Sequence, residues 1–410
     1  MKRLSEKRLF KLLHHKWDKG TLTRMAVLCE QYLFKGCFSR IDIEGLWEVK
    51  KKVRAGTRLI FIPNHQSEYD WLILQDRLFR ERIRTAIQAG DNLFIGPLEP
   101  LLKKCGAFMS IRKEWHYYSS NWVLAMILRL LGTKPIVVSK EQYTRLYPKQ
   151  LRRILGEEGY NLLVFPGYET DPFSGEVKYG RSYSGEFNPL TPHTFSVVGR
   201  VLRDIGLSEA EYIPVNITYE RVPEDILFRE FKAKTRPTKI AKYIYDHYYT
   251  FVKAPFSKEL HQAKSRVCVR FGAGVPARFN GKAKEFAQYM HARIGELVRV
   301  YESMIVFSSL NNRFSISKKE LKQNIQENLA RLEALHIDCS PLYNHQGRLC
   351  SLDSMLNRIA TLFNQPKIPI IALKSYLTLE HDRHEVFIHH PHLAAYYGNK
   401  LKFLLQQTSL

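Results

Sequence analysis

The sequence predicts an α/β fold: a mostly parallel sheet flanked by helices, with an N-terminal helical segment and a small C-terminal α+β or helical domain. Three observations predict it. Strand-like and helix-like stretches alternate through the middle of the chain, the pattern of a parallel sheet with crossover helices. Several strand-like stretches, RLIFIP at 58–63 and YNLLVFPG at 160–167 above all, are near-continuous apolar runs, as expected of buried strands. The texture then changes after about residue 303. The 410 residues exceed one ordinary core. The expected division is 1–38, basic amphipathic helices; 39–302, the α/β body; 303–410, a helical or winged-helix-like unit.

Taken in order, residues 4–17 set Leu9, Phe10, Leu12, Leu13 and Trp17 among Lys7, Arg8, Lys11 and Lys16. This is a basic amphipathic helix, suited either to an anionic bilayer or to packing on the core. Thr21 is placed to cap a second helix running to about Lys35. RIDIEG at 40–45 alternates as a half-buried strand. RLIFIP ends at Pro63, and a helix is expected from Ser67 to Arg80. TAIQAG is a short strand, NLFIGPLEPLLKKCG a helix after a turn, AFMSI at 107–111 a strand, and 119–131 a helix. PIVVS is a strand, QLRRILGEEG a helix, and YNLLVFPG the strongest buried strand. EYIPVNITYERV at 211–222 and RVCVRFG at 266–272 complete the strands of the body. Beyond 303, Ser317 and Glu320 form a capping box for the helix SKKELKQNIQENLARLEAL. A second helix covers about 351–363, IPIIALKSYL and HEVFIHH form a strand pair, and HLAAYYGNKLKFLL is a closing helix. Helices with a two-stranded wing suit either DNA binding or packing.

Hydrophobic residues make up 45% and charged residues 25%, the balance of a folded globular chain. The net charge is +23 with a pI near 9.7, which attracts nucleic acid, anionic membrane or phosphorylated substrates without choosing among them. The six cysteines form no C-x-x-C pair and no zinc spacing, so reduced, mostly buried thiols of a cytosolic protein are expected, with no metal. The basic N-terminus lacks the apolar core and cleavage site of a signal peptide. WVLAMILRLL at 122–131 is about half the length of a membrane span and is interrupted by Arg129, so no transmembrane helix is expected.

Four constellations carry chemistry, each at the carboxyl end of an expected strand, where open parallel sheets place functional groups. In NHQSEYD, His65 follows the strand and Asp70 falls in the first turn of the next helix. A carboxylate there holds one imidazole nitrogen as N–H and leaves the other free to act as a base. The alternative is a capping loop with a satisfied surface histidine. GAFMSIRKE, 106–114, ends a strand in Arg112 and Lys113, either a phosphate grip or a plain basic loop. The long segment 165–195 contains GRSYSG, where glycines admit an anion to backbone amides and Arg181 and Ser182 add donors. IPVNITYERVPE ends in Tyr219, Glu220 and Arg221, which alone say little.

The four blocks in this order resemble the glycerolipid acyltransferase family, most closely its bacterial glycerol-3-phosphate acyltransferase branch. NHQSEYD is similar to the family's N-H-x-x-x-x-D block. GAFMSIRK resembles G-A-x-F-I-R-R, FPG with GRSYSG resembles F-x-E-G-x-R-S, and IPVNITYE resembles P-V-x-I-x-Y-E. The likeness covers about residues 40–280; the last hundred residues are only loosely similar to that branch, mainly through AAYYGNKL. The resemblance implies a general base at His65, oriented by Asp70. It implies phosphate ligands at Arg112, Arg181 and Ser182, with Lys113 beside them, and further substrate contacts among Asn64, Glu169, Glu176, Gly180, Gly185 and Pro214. It departs in the third block: Lys178 stands where the family has Glu, leaving Glu169 and Glu176 both open for that role.

The expected function is transfer of a fatty acyl group from acyl-CoA or acyl carrier protein to the hydroxyl of glycerol 3-phosphate, the alternative acceptor being a lysophospholipid. The thioester is a co-substrate, and no other cofactor is expected. The expected partner surface is an anionic membrane, the location the cytoplasmic face of the inner membrane, and no nucleic acid is expected. Two readings of other classes stand beside it: a nucleic-acid-binding protein using the C-terminal unit, and a lipid-binding scaffold without catalysis.

Overall fold

The computed structural model describes residues 5–94, 98–111, 115–117, 136–170, 177–182, 184–223, 255, 264–278, 282–311, 313, 315–363, 379–381, 385–388 and 391–407. In chain order the strands are β1 (Phe38–Glu44), β2 (Leu59–Pro63), β3 (Thr85–Gly90), β4 (Ala107–Ser110), β5 (Trp115–Tyr117), β6 (Ile136–Val138), β7 (Asn161–Leu163), β8 (Tyr168–Thr170), β9 (Val177–Tyr179), β10 (Glu211–Tyr219), β11 (Ser265–Phe271), β12 (Val275–Pro276), β13 (Ser315–Ser317), β14 (Leu379–His381) and β15 (Glu385–Ile388). The main sheet has the order β1-β11-β10-β2-β7-β3-β4, with β12 beside β10. β10, β2, β7, β3 and β4 run parallel, while β11 is antiparallel to β10 and β1 is parallel to β11. The fold is therefore α/β with a mostly parallel sheet.

β2 lies inside the sheet and all five of its residues are buried. Its side chains alternate between two apolar clusters, Leu59 and Phe61 on one face, Ile60 and Ile62 on the other. Burial on both faces is why RLIFIP has no polar alternation. The helix Tyr69–Arg80 covers the Phe61 face through Tyr69, Ile73 and Leu78. The helices Lys140–Arg152, Pro192–Asp204 and Ala283–Gly295 supply Leu151, Val198 and Met290 to the other.

The N-terminal helix Glu6–Leu13 turns Leu9 and Leu13 into the second cluster and leaves Lys7, Arg8 and Lys11 exposed. Its apolar stripe is thus spent on the core. The next helix, Lys19–Leu28, is capped by Asp18 rather than Thr21: the Asp18 carboxylate accepts the Thr21 amide at 2.7 Å. Asp binds the exposed N–H groups of a first turn better than Thr, and Thr21 is already inside the helix. Helix Lys140–Arg152 begins well before the QLRR stretch, at a capping box in which Ser139 and Gln142 bond each other's amides. PIVVS forms β6, which pairs with β5 outside the main sheet. Residues 119–131, including WVLAMILRLL, lie outside the described residues. Among the described residues, no helix is long and apolar enough to cross a membrane. All six cysteines are free, and all but Cys350 are buried.

The helix Glu302–Ser309 spans the boundary expected at 303, and the Phe61-face cluster continues without a break through Ile305, Leu321, Leu356, Phe363 and Tyr397. From that helix the order is β13, helix Lys318–Ala334, helix Leu352–Phe363, β14, β15 and helix Pro391–Gln407, with an antiparallel sheet β13-β15-β14. HEVFIHH holds β15, which pairs with β13 and β14, while IPIIALKSYL, its expected partner, lies outside the described residues. The helix Leu352–Phe363 faces the body: its Arg358 binds Glu220, which is fully buried at the end of β10 and also receives Arg266 at 2.9 Å. Burial raises the pKa of Glu220, but the two guanidinium groups outweigh it and hold the carboxyl below its ordinary value.

Candidate active site

β2 stops at Pro63, and the chain crosses the carboxyl end of the sheet before entering the helix Tyr69–Arg80. Asn64 fixes where it crosses. Its amide donates to Ile217 O at 3.0 Å and accepts from Ile217 N at 2.7 Å, extending the β2–β10 pairing by a side chain. Ser67 then turns the chain, its hydroxyl accepting the Tyr69 amide at 3.0 Å. This geometry places Asp70 in the first helical turn, fully buried, and folds His65 back on it.

His65 Nδ1 lies 2.9 Å from Asp70 Oδ2. The same oxygen accepts the amides of Gln66 at 2.6 Å and Ser67 at 3.0 Å. Oδ1 accepts the Tyr219 hydroxyl at 2.6 Å. An oxygen that only accepts makes Nδ1 the protonated nitrogen, so Nε2 carries the lone pair. The His65 side chain is 15% exposed, and Phe165 packs on its ring at 4.6 Å between centroids. His65 and Asp70 therefore form a hydrogen-bonded imidazole–carboxylate pair, built on a strand end and a helix start.

The interrupted third block closes in space. β8 and β9 form an antiparallel hairpin with Glu169 opposite Lys178, and Gly180 N donates to Gly167 O at 2.9 Å across its base. FPG and GRSYSG are thereby joined as if the segment between them were absent. Gly180 has φ +110°, a backbone that a side chain would strain. Beyond it, Ser182 N donates to His65 O at 3.0 Å, which fastens this loop to the histidine. Arg181 is 7% exposed, and its guanidinium lies 3.7 Å from Glu68, two residues before Asp70. The Ser182 hydroxyl accepts the Gly185 amide at 3.1 Å, and Glu169 accepts the Ser184 amide at 3.1 Å.

The structure thus brings His65, Asp70, Arg181, Ser182, Gly180, Gly185 and Glu169 into one assembly. Asn64 belongs to it as a support, its amide committed to β10. Pro214 is a sheet residue opposite Ile62, its ring against Gly272. Arg112, Lys113 and Glu176 lie outside the described residues; β4, which leads to the first two, ends at Ser110 beside β3. Sequence reasoning singled out Tyr219 without giving it a role, and it assigned none to Gln66, Glu68 and Phe165. The signal for Tyr219 was its place at the carboxyl end of the strand next to β2, two residues after the Ile217 that Asn64 grips.

One other cluster among the described residues has donor spacing suited to a metal: His14, His15 and Glu158, with donor atoms within 4.8 Å of one another. Each imidazole Nε2 stands 2.9 Å from a Glu158 oxygen, and Arg153 also donates to that carboxylate at 2.8 Å. The arrangement clips the N-terminal helix to the chain just before β7. Burial drives the His14 pKa down to about 4 against the pull of Glu158. Burial raises Glu158, yet the two histidines outweigh it and hold it at about 2.

Residues 47–198 match the family model described as Acyltransferase. A glycerol-3-phosphate acyltransferase of Haemophilus ducreyi is 27% identical over 230 residues, 55% of this chain and 24% of that protein. One from Shewanella oneidensis is 26% identical over 206 residues, 50% of this chain and 21% of that protein. The match thus spans about a quarter or less of the length of these curated relatives. The matched segment contains the His65–Asp70 pair, the Arg181–Ser182 loop and the strands β2, β7, β8 and β9, so over residues 47–198 this chain is similar to that acyltransferase family.

Proposed function

We propose that the protein is an acyltransferase that moves a fatty acyl group from a thioester, acyl-CoA or acyl carrier protein, to the hydroxyl of glycerol 3-phosphate. The observation that carries this reading is the Ser182 N–His65 O bond, because it ties a base to a loop bearing a buried arginine. His65 Nε2 takes the proton of the acceptor hydroxyl as that oxygen attacks the thioester carbonyl. The C–S bond then breaks, and the proton passes from His65 to the leaving thiolate. Asp70 keeps the imidazole in the required tautomer and steadies it while charged. Arg181, with Arg112 and Lys113, binds the acceptor phosphate, which a planar guanidinium meets with two hydrogen bonds. Glu169 takes the place of the family's third-block acid; its bond to the Ser184 amide supports that reading. The net charge of +23 supports attraction to anionic lipid, the surface to which a lysophosphatidic acid product would pass.

The test is release of free thiol from palmitoyl-CoA in the presence of glycerol 3-phosphate, for the wild type and for His65→Ala. The wild type should turn over and the variant should lose at least about a hundredfold in kcat, the scale for removing a positioned base. Equal rates would end the assignment of His65. Repeating the assay with lysophosphatidic acid as acceptor and acyl carrier protein as donor identifies the substrates.

A further inference from the structure

The C-terminal helix Pro391–Gln407 touches three of the four site segments. Tyr396, 2% exposed, donates its hydroxyl to Gln66 O at 3.4 Å, one residue from His65. The backbone carbonyl of Tyr396 lies against Gly185, where a Cβ would stand 1.8 Å from that oxygen and where φ is +80°. Asn399 donates to Ser184 O at 3.1 Å. Tyr397, fully buried, accepts the Val222 amide at 3.0 Å, three residues beyond the tyrosine that holds Asp70. The helix is itself seated hard: Gly398 packs backbone to backbone on Phe307 and Ser308.

We infer that this helix sets the separation between the His65 loop and the Arg181–Ser182 loop, with Tyr396 and Asn399 as positioning residues. The helix bears on the loops that hold acceptor and base, while Tyr397, Leu401 and Leu404 anchor it in the Phe61-face cluster. The inference deepens the acyltransfer reading: the C-terminal segment completes the acceptor half of the site. Each residue touches backbone carbonyls of the loops rather than any reacting atom, so its effect belongs in acceptor binding more than in proton transfer.

The experiment compares Tyr396→Phe, Asn399→Ala and a control, Lys322→Ala, an exposed residue of the helix Lys318–Ala334. Palmitoyl-CoA and glycerol 3-phosphate kinetics are measured with thermal melting and peptide-level hydrogen exchange. The first two variants should raise the acceptor KM about threefold to tenfold, the loss of one neutral hydrogen bond. The palmitoyl-CoA KM should hold, Tm should stay within about 2 °C, and exchange should quicken only in 64–68 and 180–186. Unchanged acceptor KM with an active wild type overturns the inference, as does a fall in Tm with exchange faster throughout the chain. If the wild type moves no acyl group, the functional reading fails. Exchange then decides the inference alone: local quickening at the two loops supports it, and its absence overturns it.

Discussion

Tyr219→Phe isolates one atom of the proposed site. Tyr219 is fully buried, and its hydroxyl meets Asp70 Oδ1 at 2.6 Å, a bond from a phenol to a buried carboxyl group. Phe keeps the ring and its packing on Phe38, 5.9 Å away between centroids, so no cavity opens. What is lost is a charge-assisted hydrogen bond worth about 1.5–3 kcal/mol, or roughly 10- to 150-fold in an equilibrium constant. Asp70 still has the amides of Gln66 and Ser67 on its other oxygen, so part of its orientation survives. The loss divides between the folded state and the step in which His65 becomes charged. We expect kcat to fall about tenfold, Tm to fall by a few degrees, and the glycerol 3-phosphate KM to hold, because Tyr219 touches the Asp70 carboxyl and not the Arg181–Ser182 loop. The assay is steady-state thiol release beside thermal melting. A kcat within about twofold of wild type, with a lower Tm, would refute the claim that Tyr219 serves the base through Asp70.

Arg181→Ala should raise the acceptor KM by about tenfold or more and change kcat less; an unchanged acceptor KM would place the phosphate elsewhere. Gly185→Ala should lower Tm, because the position combines a positive φ with a carbonyl 1.8 Å from the added carbon; a Tm equal to wild type would contradict that packing. The His14 clip makes stability depend on pH. With His14 at about 4 when folded and 6.5 as the ordinary value, the unfolded chain binds the extra proton first, so stability falls as pH drops from 6.5 toward 4. Glu158, at about 2 against 4.5, adds a further loss below pH 4.5. Melting temperatures of wild type and His14→Asn at pH 7 and pH 5 check this: the wild type should lose more between the two, and parallel losses would refute it.

What the sequence disclosed was local. His65 and Asp70 are five residues apart at the seam between an apolar strand and a helix, so one short stretch carries both residues and their supports. β2 was legible because burial on two faces leaves an unbroken apolar run. Tyr219 was not legible as a partner of Asp70, because their contact depends on β10 lying beside β2, a pairing across 149 positions that no local pattern encodes. The third block left Glu169 and Glu176 both open for a related reason. Its parts are separated along the chain and joined in space by cross-strand bonds of β8 and β9. The Asp18 cap was a nearer miss, since two good capping residues stood three positions apart and the hydrogen bond between them decided which one capped.

The β8–β9 hairpin has a practical consequence. Its ends already meet through the Gly180–Gly167 bond, so chain added between Thr170 and Val177 changes the length of a closed excursion and not the path of GRSYSG. Lengthening such a loop costs only about 0.6 kcal/mol per doubling. The position is therefore an address for a fluorescent reporter or an affinity peptide, inserted within a few residues of GRSYSG, through which occupancy of the proposed phosphate site can be followed by light instead of by turnover.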